Sequence, residues 1–543
     1  MPSFKEQLSL RGLLIGLVGC VIITSSSVYV ALKLGALPWP IFFVVLLALF
    51  ALKAMSRLPR ARATNINEAS VSASVMSAGA MVAGGLAFTV PGIYIALGNI
   101  DLPWWKLLVC ALAGVGLGVV ATALFRKHFV VDSQLPFPIG RGAAETLKAG
   151  DQGGRKGALL FGSMGISGLF AFLRDGLLVI PQMFFSKVSL PGVNFGIYAS
   201  PMALAMGFMI GPLAALVWII GGIIGNFGVM VGGTQLFGLP LELAGNIRVS
   251  LGIGLMIGCG VGIVIKEVIP RAKSLFAPLV RSSRGEAIVS LRWAPFFLAA
   301  LVLVLGFVVG LGLPASLLLV LFVWLVMTMA AQSTGQAGLN PMEVFGVIIL
   351  LVITLAVHLG GIEAFLVAAI ATVACGFVGD LMNDFKAGSI LGTDPKAQWI
   401  GVSIGGVAGA VIGTLIILLF FHAYGAGSFG PDKQFIAAQA TAVASMVAGI
   451  PHLPAFLIGL AIGAVAYLLK APVITLGLGV YLPFYLSLTV AVGALVAFIV
   501  RRLAPAWSKR EDGVVIASGL LGGESIVGVI LALVVLAHGA LGG

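Results

Sequence analysis

Leu13-Leu14-Ile15-Gly16-Leu17-Val18-Gly19-Cys20-Val21-Ile22-Ile23-Thr24-Ser25-Ser26-Ser27-Val28-Tyr29-Val30-Ala31-Leu32 contains no charged side chain. Wound as a helix at about 1.5 Å per residue, it is as long as a bilayer's hydrocarbon core is thick, about 30 Å. Residues 295–313 repeat the pattern, and similar runs recur along the 543-residue chain. Barrel strands would alternate in polarity over about 10 residues, whereas these runs are uniformly apolar. Composition agrees: 60% of residues are hydrophobic and 9% charged, against about 25% charged in soluble domains. The expected fold is an all-α polytopic membrane protein.

Loop charges orient it. Lys5 and Arg11 precede the first run, and no small-residue cleavage site follows, so it reads as a retained helix with a cytoplasmic amino terminus. Lys53, Arg57, Arg60 and Arg62 follow the second run, and Arg126, Lys127, Arg141, Lys148, Arg155 and Lys156 the fourth. Arg271, Lys273, Arg281, Arg284 and Arg292 mark a central cytoplasmic loop. The expected organisation is a transmembrane half over 1–270, a basic loop over 271–292 and a second half over 293–543. Arg501, Arg502, Lys509 and Arg510 mark a last inside loop. The net charge of +12 is therefore a topological signal spread over loops, and nucleic acid is not an expected partner.

The spans between these loops number about 15 to 17, at about 20 residues each. Two stretches decide the parity: residues 199–237, interrupted at Gly211-Pro212, and 434–470, interrupted at Pro451 and Pro454. Each reads as a hairpin, a re-entrant pair or a kinked helix. The 74 glycines include runs at 114–118, 252–262 and 401–413, which let helix backbones pack closely. Cys20, Cys110, Cys259 and Cys375, and the five histidines, are scattered, so neither a metal nor another cofactor is expected.

No P-loop and no His-Glu-x-x-His string is present. Gly401-Val402-Ser403-Ile404-Gly405 matches a nucleophile elbow as a string but lies in an apolar span without the strand–turn–helix context. A secondary transporter driven by an ion gradient is expected, rather than an enzyme or a channel.

Polar residues inside this apolar frame are the candidates for function. Glu68, Glu145, Asp175, Glu363, Asp380, Asp384 and Glu524 lie within or at the ends of apolar runs, where a charged side chain costs roughly 2.5 kcal/mol or more. In 64–77, Asn67, Ser70, Ser74 and Ser77 share one helical stripe with Glu68 beside it, suited either to a water-filled path or to interhelical contacts. In 135–150, two prolines precede a short helix expected from about Gly142, with Glu145 and Lys148 able to pair.

Arg174 and Asp175 are helix neighbours about 100° apart, so each is expected to find a different partner. Arg174 serves either an interhelical ion pair or a substrate carboxylate. In 332–343, Asn340, Pro341 and Glu343 fit the N-cap, N1 and N3 positions of a new helix, which leaves Gln332, Ser333, Thr334 and Gln336 to meet peptide groups. Asp380 and Asp384, at i and i+4 near the end of a span, repel each other as charged groups and suit a site that takes up a proton, unless Lys386 neutralises them. Glu524 is the single acid in the last span.

The run Leu135-Pro136-Phe137-Pro138 to Ala144-Glu145-Thr146-Leu147-Lys148-Ala149-Gly150 resembles a signature of the oligopeptide transporter family, which includes the yellow-stripe-like metal-chelate transporters. Further matches follow in family order: residues 65–85; Gly379-Asp380-Leu381-Met382-Asn383-Asp384-Phe385-Lys386-Ala387-Gly388 with Leu391-Gly392-Thr393-Asp394-Pro395-Lys396; Ala438-Gln439-Ala440; Gly479-Val480-Tyr481-Leu482-Pro483; and Ala517-Ser518-Gly519-Leu520 to Glu524. The resemblance implies about 16 helices in two related halves and proton-coupled import of short peptides or, alternatively, peptide-like metal (iron) chelates. Glu145-Thr-Leu-Lys-Ala-Gly and Asn383-Asp-Phe-Lys-Ala-Gly fit an internal duplication. A bacterial inner-membrane form is expected.

Asn67, Ser70, Ser74, Arg174, Gln332, Gln336 and, through the resemblance, Gln439 and Tyr481 are the candidate substrate-binding residues. Glu68, Glu145, Asp380, Asp384 and Glu524 are the candidates for proton coupling. Expected partners are a small-molecule or peptide substrate and membrane lipid, with a homodimer left open.

Overall fold

The computed structural model describes residues 2–35, 37, 41–59, 62–98, 100, 102–133, 135–152, 155–185, 189–190, 192–263, 265–266, 270, 288, 293–337, 340–504 and 512–541. Nearly all of the expected central loop 271–292 lies outside them, as do Arg60, Lys509 and Arg510. Among the described residues, 11 helices are long and apolar enough to cross a membrane, and shorter apolar helices accompany them. The chain is an all-α polytopic membrane protein.

Two compact units form, each drawing on separated parts of the chain. The first comprises Met1–Ala31, Trp39–Ala158 and Arg271–Gly425. Its central element is the helix Gly361–Leu391, buried along nearly all its length and packed by Ile66–Ala87, Trp104–Arg126, Leu313–Ala337 and Met342–Ala356. Local chemistry sets the helix ends. The Asn65 side chain accepts the Glu68 amide at 2.7 Å to start Ile66–Ala87. Asp394 accepts the amides of Lys396 and Ala397, and Pro395 occupies the first helical position of Pro395–Tyr424.

The glycine runs are packing surfaces. Gly409 of Pro395–Tyr424 lies so close to Gly79 of Ile66–Ala87 that a Cβ there would fall on the Gly79 backbone. Gly114 and Gly118 likewise admit Val373 and Phe377 of Gly361–Leu391.

The second unit comprises Leu32–Pro38, Leu159–Pro270 and Ala426–Gly543. Leu241–Ile263 packs lengthwise on Leu453–Leu468, and Phe484–Leu503 on Pro201–Ile210. Both interrupted stretches prove to be broken helices. Pro201–Ile210 stops at Gly211, whose φ of +86° suits glycine, and Pro212–Gly222 restarts at once. Ala438–Ala448 likewise stops at Gly449 before Leu453–Leu468. The connection ahead of Pro201 carries two small antiparallel ladders, Met183–Phe184 with Ile197–Tyr198 and Ser189–Leu190 with Val193–Asn194. Short strands were not legible in so apolar a chain.

Candidate functional site

In the first unit, several signature segments converge. Asp380 and Asp384 are both buried inside Gly361–Leu391, not at an exposed span end as their place in the sequence implied. The helix runs on to Leu391, and Ile66–Ala87 and Pro138–Gln152 cover this part of it. The Asn340 amide donates to the Cys375 carbonyl and to Asp380 Oδ2, both at 3.0 Å. Asn340 is therefore a cross-helix donor and not a helix cap; the next helix begins at Met342, with Pro341 ahead of it. Among the described residues, Asp384 Oδ2 and Asn340 Oδ1 are buried without a well-formed hydrogen bond, and the Ser77 side chain stands beside Asp384. Lys386 does not neutralise the pair: its Nζ donates to the Val130 carbonyl at 3.0 Å and lies over the Phe137 ring.

The Pro-rich run is fastened to the same region. Phe137 N–H donates to the Gly335 carbonyl at 2.9 Å, and Gly140 N–H donates to Asn383 Oδ1 at 3.2 Å. The two similar six-residue motifs therefore lie on contacting helices. The first of them belongs to a helix beginning at Pro138, four residues before the expected start; proline at the first helical position needs no amide partner. Asn67 accepts from Thr393 Oγ1 at 3.1 Å, and Ser74 from Gln398 Nε2 at 2.9 Å. The Gln398 amide also donates to the Asp384 carbonyl at 2.7 Å. Ser70 is buried beside them, and Gln332 and Gln336 lie half-buried near the end of Leu313–Ala337.

Glu68 is buried but paired. Arg11 meets it twice, Nε at 2.8 Å and Nη2 at 2.7 Å, and Ser9 adds a short hydrogen bond. Arg62 stands 3.5 Å away. Such a fork holds a carboxylate charged. Glu145 is exposed on Pro138–Gln152.

In the second unit, a polar hub surrounds Arg174, which is fully buried. Its Nε donates to Asp175 Oδ1 at 2.8 Å and Nη2 makes a short contact with the other Asp175 oxygen. Nη1 reaches Glu524 Oε1 at 2.8 Å and the Ala199 carbonyl at 2.5 Å. Arg174 and Asp175 thus pair with each other, contrary to the 100° expectation. The span Arg155–Ala171 widens into a π-helical turn at Phe172–Gly176 and stops, so the long arginine can fold back on its neighbour.

Glu524, buried in Asp512–Leu541, accepts from Ser200 Oγ at 2.9 and 3.0 Å and from Met202 N–H at 2.8 Å. A carboxylate thereby caps the start of Pro201–Ile210, where the helix dipole favours negative charge. The guanidinium also lies 5.1 Å from the centroid of the Tyr198 ring.

Tyr198 is in turn a wall of a cavity of about 400 Å³, lined by Lys33, Gln182, Tyr198, Lys433, Gln434, Ile436, Tyr485 and Leu486. Near it, buried Arg248 donates to Asn226 Oδ1 at 3.0 Å and to Asp432 at 3.1 Å. Gln439 donates to the Gly35 carbonyl at 3.3 Å, and Tyr481 ends the short helix Val473–Tyr481, fully buried. Sequence reasoning missed Arg248 and the cavity residues. Arg248 carried a usable signal, being the one base in the apolar span Leu241–Ile263. The lining residues carried none, since they come from helix ends and connections far apart in the chain. Among the described residues, His, Cys, Asp and Glu do not gather in groups of three that could hold a metal ion.

A chain of many apolar helices with buried carboxylates, broken helices and a polar cavity has the build of a membrane transporter. The model of the OPT oligopeptide transporter protein family matches residues 7–241 and 278–535, and the chain belongs to that family. It is 27% identical over 555 aligned positions to a Haemophilus influenzae protein named for oligopeptide transport, covering 84% of this chain and 85% of that one. It is also similar to the metal-nicotianamine transporter YSL2 of Oryza sativa subsp. japonica, 31% identical over 148 residues, 25% of this chain and 21% of that protein. The metal-nicotianamine transporter YSL3 of Arabidopsis thaliana is 26% identical over 214 residues, 32% and 30% of the two chains. OPT members are transporters, so this chain is a multi-pass membrane transporter and not an enzyme.

Proposed function

We propose that the protein is a proton-coupled importer of short oligopeptides across a bacterial inner membrane. One observation carries the coupling reading: Asp380 and Asp384 are buried four residues apart in a membrane helix, and among the described residues no cation is ion-paired with either. Two charged carboxylates so placed, with the nearby lysine turned elsewhere, are costly in a low-dielectric interior. A shared proton removes that cost and can be gained and lost in turnover. Glu68 and Glu524, held by Arg11 and Arg174, are assigned to holding the structure together instead.

The test is uptake into proteoliposomes from a pool of di- to hexapeptides under an inward proton gradient, read by mass spectrometry. Accumulation should collapse with a protonophore. Asp384→Asn should lose gradient-driven accumulation by about tenfold or more while keeping peptide exchange, because it cannot carry the proton. Accumulation that ignores the protonophore but follows a sodium gradient would refute the coupling ion. A second reading, import of peptide-like metal chelates, is favoured by the similarity to proteins named for metal-nicotianamine transport. It predicts that a chelate accumulates where peptides do not.

A further inference from the structure

The cavity of the second unit is built from four separate pieces of chain, and each arrives from the same side of the membrane. Lys33 closes the helix Leu10–Leu34, which starts beside the cytoplasmic Lys5 and Arg11. Gln182 and Tyr198 follow the span Arg155–Gly176, which opens on Arg155 and Lys156. Lys433, Gln434 and Ile436 follow Pro395–Tyr424, which opens on Lys396. Tyr485 and Leu486 open Phe484–Leu503, which ends on Arg501 and Arg502. Lys5, Arg11, Arg155, Lys156, Lys396, Arg501 and Arg502 all stand at the far ends, so the positive-inside rule assigns all eight lining residues to extracytoplasmic ends.

The lining holds two cations and no acid. Lys33 is half-buried, with its Nζ 5.1 Å from the centroid of the Phe435 ring. The acid beside Lys433 in sequence, Asp432, is engaged by Arg248. Neither lysine is ion-paired among the described residues. Two amides, Gln182 and Gln434, and two tyrosines supply neutral donors and acceptors around them. Tyr198 is backed by the Arg174 guanidinium, whose charge is answered by Asp175 and Glu524, so Lys33 and Lys433 are the cations that face the cavity.

We infer that this cavity is an outward-facing capture site for ligands bearing two or more carboxylates, and that Lys33 and Lys433 set that preference. The inference rests on the import reading. It narrows the substrate to polyanionic ligands, which include both acidic peptides and aminopolycarboxylate metal chelates.

The experiment is calorimetric binding to the purified full chain with four probes: the peptides Glu-Gly-Gly-Glu, Gly-Gly-Gly-Gly and Lys-Gly-Gly-Lys, and a ferric aminopolycarboxylate chelate. Glu-Gly-Gly-Glu or the chelate should bind at least about tenfold tighter than Lys-Gly-Gly-Lys, and the gap should shrink between about 50 and about 500 mM salt. Lys33→Gln and Lys433→Gln should each weaken the anionic probe about threefold, the double variant about tenfold, without touching Gly-Gly-Gly-Gly. Lys33→Arg should restore affinity, separating charge from folding. Equal affinity for all probes, binding indifferent to both lysines, or no binding of any probe would overturn the inference.

The uptake assay separates this outcome from the function proposed above. Peptide accumulation without charge preference defeats the capture site alone. Lysine-dependent binding of the chelate with no peptide uptake defeats the peptide reading and leaves the capture site standing.

Discussion

Glu524 illustrates what one buried carboxylate can do when its partners are fixed. It answers Arg174 and caps Pro201–Ile210 through Ser200 and Met202, so it joins charge compensation to helix geometry. Glu524→Gln keeps the shape and loses the charge, leaving Arg174 with Asp175 alone. Stability should fall by about 3 to 5 kcal/mol, the usual cost of breaking a buried pair from one side, read as a lowered midpoint of thermal unfolding in detergent. Arg174→Met together with Asp175→Asn in the same background should recover part of that loss, since the hub would then hold no unpaired charge; purely additive effects of the substitutions would refute the pairing. Glu524 and Asp384 were legible in the sequence because a carboxylate in an apolar run is conspicuous. Their difference in surroundings was not legible, since it lies in partners found only through folding: an arginine for Glu524, an asparagine amide on Asp380 beside Asp384. Lys33, Lys433 and Gln182 were illegible for the opposite reason, being ordinary residues at helix ends until tertiary structure gathers them.

At the scale of elements, small residues decide how helices meet. The crossing of Ile66–Ala87 and Pro395–Tyr424 at Gly79 and Gly409 leaves no room for a side chain. Gly409→Leu should therefore cost about 1 to 3 kcal/mol or more by overpacking, seen as a lower melting midpoint, whereas Gly427→Ala, with open space around it, should melt as the parent does. Helices were readable from their uniform apolarity and length, and their breaks from Gly211-Pro212 and Pro451. The partner of each glycine was not readable, because a run of small residues fixes a packing face without naming what fills it. Asn340 shows the same limit: its spacing to Pro341 fits a cap, yet its amide is used across helices.

For the whole molecule, the basic loops predict a sidedness that cysteine labelling can check. The native Cys20, Cys110, Cys259 and Cys375 are all buried, so an introduced thiol can be read against a low background. Lys433→Cys should react with an impermeant maleimide added to intact cells, and Arg502→Cys only after the membrane is opened. The reverse pattern would invert the topology and place the lysine-lined cavity on the cytoplasmic face.

The hub around Arg174 also imposes an order on biosynthesis. Arg174 leaves the ribosome 350 residues before Glu524, which at common elongation rates is roughly 20 to 70 s. Throughout that interval the future centre of the hub carries a charge whose distant counter-ion has not been made. Asp175, synthesised immediately afterwards, supplies an interim counter-charge on the spot, and the completed cap on Pro201–Ile210 must wait for Asp512–Leu541 to insert. The helix Asp512–Leu541 thus completes the hub, and a nascent chain halted before Glu524 would hold Arg174 with one of its two carboxylate partners.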